Sequence, residues 1–202
     1  KTMAANETTG RNGMLTKLSN ALRAFRGNRE GVGAVEFAII APVLIVLYIG
    51  SLEVSVAMSA NKKVARASST VADLVTQNST IDKAFLQTMM DVSQSVISPF
   101  KTTGLSIKIT GITIDSSKNA KVAWSWKNGG TEPYARNSEV TVPSQLKIPS
   151  TFLVRSEVQM DYNLLLALPG VGGIETKHLK LGKTYHLRQR LGDTVSCTDC
   201  GS

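Results

Sequence analysis

Residues 28–50 read NREGVGAVEFAIIAPVLIVLYIG, and this stretch decides how the chain is built. From Phe37 to Leu52 no side chain carries a charge, and Ala, Val, Ile and Leu dominate. Glu36 stands at the mouth of the run, directly before Phe37 and shortly after Gly31 and Gly33. A helix that crosses a bilayer needs about 20 mostly apolar residues. Phe37–Leu52 is slightly short of that. Ala34 and Val35 extend it on one side, and Val54, Val56 and Ala57 on the other, with Glu53 the only charge before Met58. The run is apolar all round, unlike the one-sided stripe of a soluble surface helix. It is longer than the about 7–15 apolar residues of a secretory signal and has no Ala-x-Ala at its end. Pro42 deletes one helical hydrogen bond and crowds the carbonyl of Ala38. Membrane helices tolerate this, because lipid offers the backbone no alternative partner. The expectation is a transmembrane helix over residues 32–60 with a kink at Pro42.

The flanks set its direction. Arg11, Lys17, Arg23, Arg26 and Arg29 precede the run; Lys62, Lys63 and Arg66 follow it. By the positive-inside rule the excess before the run places the N-terminus in the cytoplasm and the larger C-terminal part outside it. In MLTKLSNALRAFRG, residues 14–27, Leu15, Leu18, Leu22 and Phe25 share one helical face with basic residues elsewhere. That suits a short helix on an anionic leaflet. Met3 and Met14 are both candidate start positions. Residues 1–31 are read as a basic cytoplasmic leader.

The remaining length suits one ordinary domain: the chain has 202 residues, 42% of them hydrophobic. Aromatics are only 5%, so the core is expected to be aliphatic. The net charge of +8 is spread along the chain, with no basic stripe interleaved with aromatics, so no nucleic-acid partner is assigned.

After the apolar run, Val64, Ala67, Val71, Leu74 and Val75 keep helical spacing, which predicts that the helix continues to about Thr76. Ser79 or Thr80 is the expected cap of a second helix, with Asp82 in its first turn. Its predicted apolar face is Ile81, Phe85, Met89, Val92 and Val96, and Pro99 ends it. The Met89–Met90 pair reads as core filler. Strand periodicity follows. Leu105, Ile107 and Ile109 alternate, then Ile112 and Ile114 take the other phase, which predicts a bulge at Thr110–Gly111. Val122, Trp124 and Trp126 form the returning arm of a hairpin. Residues 128–150 read as loop. Residues 152–166 read as a long half-solvated strand, with Phe152, Val154, Val158, Met160, Tyr162, Leu164 and Leu166 on one face. Its other face carries Arg155, Glu157, Gln159, Asp161 and Asn163. After the loop ALPGVGGIETK, residues 167–177, Leu179, Leu181, Tyr185 and Leu187 mark a last strand. The fold class is therefore α+β: a long N-terminal transmembrane helix, a second helix and a roughly four-stranded antiparallel sheet. The parts are helices over 61–99, a sheet domain over 100–196 and a Cys-x-x-Cys tail over 197–202.

Cys197 and Cys200 are a candidate disulfide if they lie outside the cytoplasm, and a redox or metal pair if inside. His178 and His186 share a strand face, but their spacing to the cysteines fits no familiar zinc knuckle. No metal or other cofactor is assigned. The GVGG of residues 170–173 lacks the strand-to-helix setting of a phosphate loop. No Ser/His/Asp order stands out, no catalytic residue is assigned, and the chain is read as not an enzyme.

The order of basic leader, Gly31, VGAVEF and apolar helix resembles the processing site of type IV prepilins: Gly, cut, four residues, Glu, aromatic. Residues 33–53, GAVEFAIIAPVLIVLYIGSLE, resemble still more closely the TadE-like proteins, pseudopilins of the tight-adherence (Tad/Flp) pilus system. The likeness is strong over residues 29–60 and architectural beyond. It implies cleavage between Gly31 and Val32, with Glu36 and Phe37 setting register in assembly, Pro42 in the apolar helix and Glu53 as the acidic residue near its far end. It also implies partners: a prepilin peptidase, other Tad pseudopilins, the major Flp pilin, the inner-membrane pilus platform and the lipid bilayer. The location implied is a bacterial inner membrane, crossed once, with the C-terminal domain periplasmic or carried into an extracellular pilus. The expected role is a minor pseudopilin in fibre initiation or at its tip, aiding surface adherence. The alternative is an unprocessed single-pass anchor holding an extracytoplasmic binding or adaptor module.

Overall fold

The computed structural model describes residues 31–169 and 175–200, with backbone alone for 165–169 and 175–177. The expected leader helix with Leu15, Leu18, Leu22 and Phe25 lies outside what is described, as do residues 170–174 of the expected 167–177 loop. The rest of that loop is strand, since cross-strand pairing continues through Leu168–Thr176 and Pro169–Glu175. The chain divides into two units at Ser51/Leu52.

Helix α1 runs from Val32 to Thr76 without a break in its assignment, Pro42 included. Its 32–51 portion is exposed throughout or nearly so; Phe37, Ile39 and Leu47 are each more than 60% accessible. From Ala60 onward the picture changes. Ala60, Val64, Ala67, Val71, Ala72 and Val75 are fully buried. Their three- and four-residue spacing puts one stripe of the helix against the domain core.

A four-stranded antiparallel sheet receives that stripe. Its strands are β2 (Ser106–Ile114), β3 (Ala120–Lys127), β4 (Thr151–Pro169) and β5 (Glu175–Arg188), in the order β3-β2-β4-β5. Helix α2, Lys83–Ile97, packs into the same core through Leu86, Met89 and Ile97. The sheet contributes Ile107, Ile109, Trp124, Trp126, Phe152, Val154, Val158, Met160 and Leu181. The α+β architecture expected from periodicity is the one present.

Several local expectations need correction. The second helix is capped by Asp82, whose Oδ1 accepts from the amide of Phe85 at 2.7 Å. Thr80 and Ile81 lie before it as β1 (Thr80–Ile81), paired in parallel with β6 (Ser196–Cys197). The helix therefore starts later than expected. Its most buried line is Leu86, Met89, Ser93 and Ile97, while Phe85, Val92 and Val96 flank it, partly exposed. Sequence periodicity placed the face one residue out, because Leu86 and Ile97 carry the burial.

The phase change in β2 also has another cause. The β2–β4 register is unbroken from Ser106 to Ile114. Ile107 and Ile109 join the main core, whereas Ile112 and Ile114 point to the opposite face. There, with Ala120, Leu153 and Val142, they form a smaller core beneath the 128–150 segment. The register break lies on the β3 side, between Gly111 and Ile112: Gly111 faces Trp124 and Ile112 faces Val122, so Ala123 is the extra residue. Gly111 is needed where it stands. A Cβ there would lie 2.5 Å from the Trp124 ring and 2.7 Å from that of Phe152.

That second core also corrects the half-solvated reading of β4. Residues 152–156 are buried on both faces, Arg155 among them at 8% exposure, and solvent reaches the outer face only from Glu157 onward.

Candidate processing and assembly site

The site predicted around Gly31 begins with backbone. The carbonyl of Gly31 accepts the first helical hydrogen bond, from the amide of Val35 at 3.1 Å. Val32 and Glu36 are one turn apart and share a helical face. Glu36 thus lies just past the first turn of α1, near the positive end of the helix dipole. Glu36 and Phe37 are both exposed, Phe37 by 68%. A Cβ added at Gly31, Gly33 or Gly50 would meet no atom within 4 Å. Packing among the described residues therefore gives no reason for glycine at these three positions. Gly50 lies inside the helix, where glycine is less favourable than Ala by about 1 kcal/mol.

A second carboxylate on α1 behaves differently. Glu53 is only 4% exposed and continues the buried stripe of Ala60 and Val64. The Tyr162 hydroxyl lies 3.4 Å from its Oε1. Burial first, and then the negative charge of Glu53, push the Tyr162 phenol above its ordinary value. Farther along, the Ser68 hydroxyl donates to the carbonyl of Ser156 at 2.8 Å. The helix rises about 22 Å between Ser68 and Glu53, and a strand about 20 Å between Ser156 and Tyr162. β4 therefore runs beside α1 in the reverse sense, and the Glu53–Tyr162 contact ties the two together at its far end. The resemblance pointed to Glu53, but its strand partner was not legible. The available signal was its spacing, four and seven residues before Ala57 and Ala60.

The C-terminal tail is built into the fold. Cys197 and Cys200 are joined as a disulfide, their Cα atoms 5.4 Å apart. Asp199 Oδ1 accepts from the Lys83 amide at 2.8 Å, at the start of α2. The indole of Trp124 donates to the carbonyl of Val195 at 2.7 Å. Among the described residues the donor atoms that converge are those of Cys197, Asp199 and Cys200; neither histidine is in that group. His178 Nδ1 instead lies 2.6 Å from Asn163 Oδ1.

On the outer sheet face an unforeseen cluster surrounds Arg155. The Tyr134 ring covers its guanidinium, 4.5 Å from ring centroid to Cζ. The Tyr134 hydroxyl donates to Glu157 Oε2 at 3.0 Å, and Arg155 Nε lies 3.4 Å from the same carboxylate oxygen. Burial, followed by the Glu157 hydrogen bond, raises the Tyr134 phenol. His186 is the cross-strand partner of Arg155. Burial and then the Arg155 charge hold its imidazole below the ordinary value, against an opposing pull from Glu157.

Residues 31–73 match the model of the family described as TadE-like protein. No curated protein and no solved structure matches the chain. The matched segment begins at Gly31, takes in Glu36, Pro42 and Glu53, and ends within α1. Among the described residues α1 is also the one helix long and apolar enough to cross a membrane. Over this segment, less than a quarter of its length, the chain is similar to the TadE-like proteins.

Proposed function

We propose that the protein is a minor pseudopilin of the Tad/Flp pilus, cut by a prepilin peptidase between Gly31 and Val32. The observation that carries this reading is the position of Gly31. It closes the first turn of a membrane-length helix, yet no described residue requires it to be glycine. An external cleft that accepts only bare backbone would require it. Glycine also lets the first turn open into the extended form that a protease grips.

Cleavage creates an ammonium on Val32, one turn from Glu36 on the same face. A carboxylate is costly in a bilayer, by about 2.5–3.5 kcal/mol at its centre and less near its edge. The new charge answers it, within one chain or between neighbouring subunits. Glu36 then sets register as subunits pack. The exposed apolar surface of residues 32–51 supplies the packing surface, in lipid or against other pilins. The 52–200 domain lies on the periplasmic side, where an oxidised Cys197–Cys200 pair is stable. The role is in fibre initiation or at its tip, with surface adherence as the outcome. Partners are the peptidase, other Tad pseudopilins, the major Flp pilin and the inner-membrane platform.

The test is cleavage in cells that carry an active prepilin peptidase. Wild-type chain should lose its leader, and Gly31→Trp should keep it. Equal processing of the two would remove the reading.

A further inference from the structure

The two edges of the sheet are treated differently. β3 is closed along its outer side: Val122 donates to the Ser138 carbonyl, Asn137 to that of Val122 and Val140 to that of Ala120. β5 is the other edge, and no described strand pairs with its outer side; the Ser68 hydroxyl reaches one of its carbonyls, that of Lys183, at 3.3 Å. A long strand with open amides and carbonyls is a template for another strand. Its side chains add a second observation. Cross-strand pairing with Tyr162, Val158 and Ser156 puts Leu179, Lys183 and Tyr185 on the helix-facing side of the sheet. Leu179 and Tyr185 are nevertheless 41% and 42% exposed, and Lys183 is exposed too. The apolar side of the sheet thus runs past the cover its own helices give. Charge is the third observation. After its first residue, Glu175, the strand carries Lys177, Lys180, Lys183 and Arg188 and no further acid.

We propose that β5 is a docking edge for an extended acidic segment of a partner protein, which adds as a fifth strand. Backbone hydrogen bonds hold it, as in other strand additions. Its apolar residues cover Leu179 and Tyr185, its carboxylates on the opposite face lie beside Lys180, and the positive charge of the edge, Lys183 included, favours an acidic segment over a basic one. The same lysines repel a basic strand, including β5 of a second copy. This inference does not depend on cleavage at Gly31.

The test uses the full chain in detergent with synthetic alternating Glu/Val and Lys/Val peptides, read by titration and by amide hydrogen exchange. The Glu/Val peptide should bind and slow exchange within residues 178–188. K180E/K183E should weaken it by roughly tenfold and bind the Lys/Val peptide instead. Both lysines are exposed, and the neutral K180Q/K183Q should fall between, which separates charge from misfolding. Three results would overturn the proposal: no binding of the Glu/Val peptide, protection outside β5, or an affinity indifferent to these charges.

Discussion

Helix α1 is continuous, yet its two parts obey different rules. Between Val32 and Ser51 its apolar side chains are exposed, Ile45 by 57% and Tyr48 by 66%. Between Ala60 and Thr76 the same helix buries a stripe of small and β-branched residues in the domain core. The two acids repeat the contrast. Glu36 is exposed, whereas Glu53 is buried beside Tyr162. The later part is therefore shaped by its own sheet. The earlier part is left exposed by the described residues, and under the proposed function it is lipid, a protease or another subunit that meets it.

The sharpest way to break this comparison is at the junction with the leader. A bulky residue at Gly31 should abolish processing altogether, seen as a retained leader mass, while leaving the domain folded. Glu36→Ala should still be cut but should give few or no pili. Normal piliation in that variant would remove the register role of the carboxylate.

Next in size are paired core substitutions. Leu86→Ala should destabilise the domain by about 2–5 kcal/mol in denaturant unfolding, because Leu86 is fully enclosed. Ile45→Ala should cost the domain no more than about 0.5 kcal/mol. Equal losses would mean that the two parts of α1 are not energetically distinct. Gly111→Ala should cost about 1–3 kcal/mol, since the new methyl collides with the Trp124 and Phe152 rings.

The smallest effect is one of pH. The His186 imidazole is held below its ordinary value of 6.5 in the folded chain. The unfolded chain therefore takes up the proton first as pH falls. The stability from neutral His186 is complete above about pH 6.5 and is lost progressively below it. Thermal unfolding of wild type should move to lower temperature on acidification through that range. His186→Gln should respond less, and an unchanged response would dissociate the effect from this histidine.

What the sequence disclosed follows from which interactions are periodic. The α1 stripe at Val64, Ala67 and Val71 and the alternation through Trp124 and Trp126 are local patterns. They were legible, as were both long helices and all four sheet strands. Features that depend on partners distant in sequence were not. The Thr80–Ile81 pairing needs Ser196–Cys197, and the burial of Arg155 needs Tyr134. The switch at Ile112 looked like a bulge in β2 because the second core, around Val142 and Leu153, is assembled from a loop without periodicity. In the candidate site, Gly31, Glu36 and Pro42 fall within one short stretch, and the family resemblance of that stretch was legible in the sequence. The contact of Glu53 with Tyr162 joins residues far apart in the chain and was not.

The central claim is that a carboxylate at the head of a lipid-soluble helix is answered by a backbone ammonium released one turn away. Mass analysis of the native N-terminus, from cells with an active prepilin peptidase, tests it most directly. The account predicts a mature chain that begins at Val32. A native chain that still carries residues ahead of Val32 would contradict it, leaving an unprocessed anchored domain.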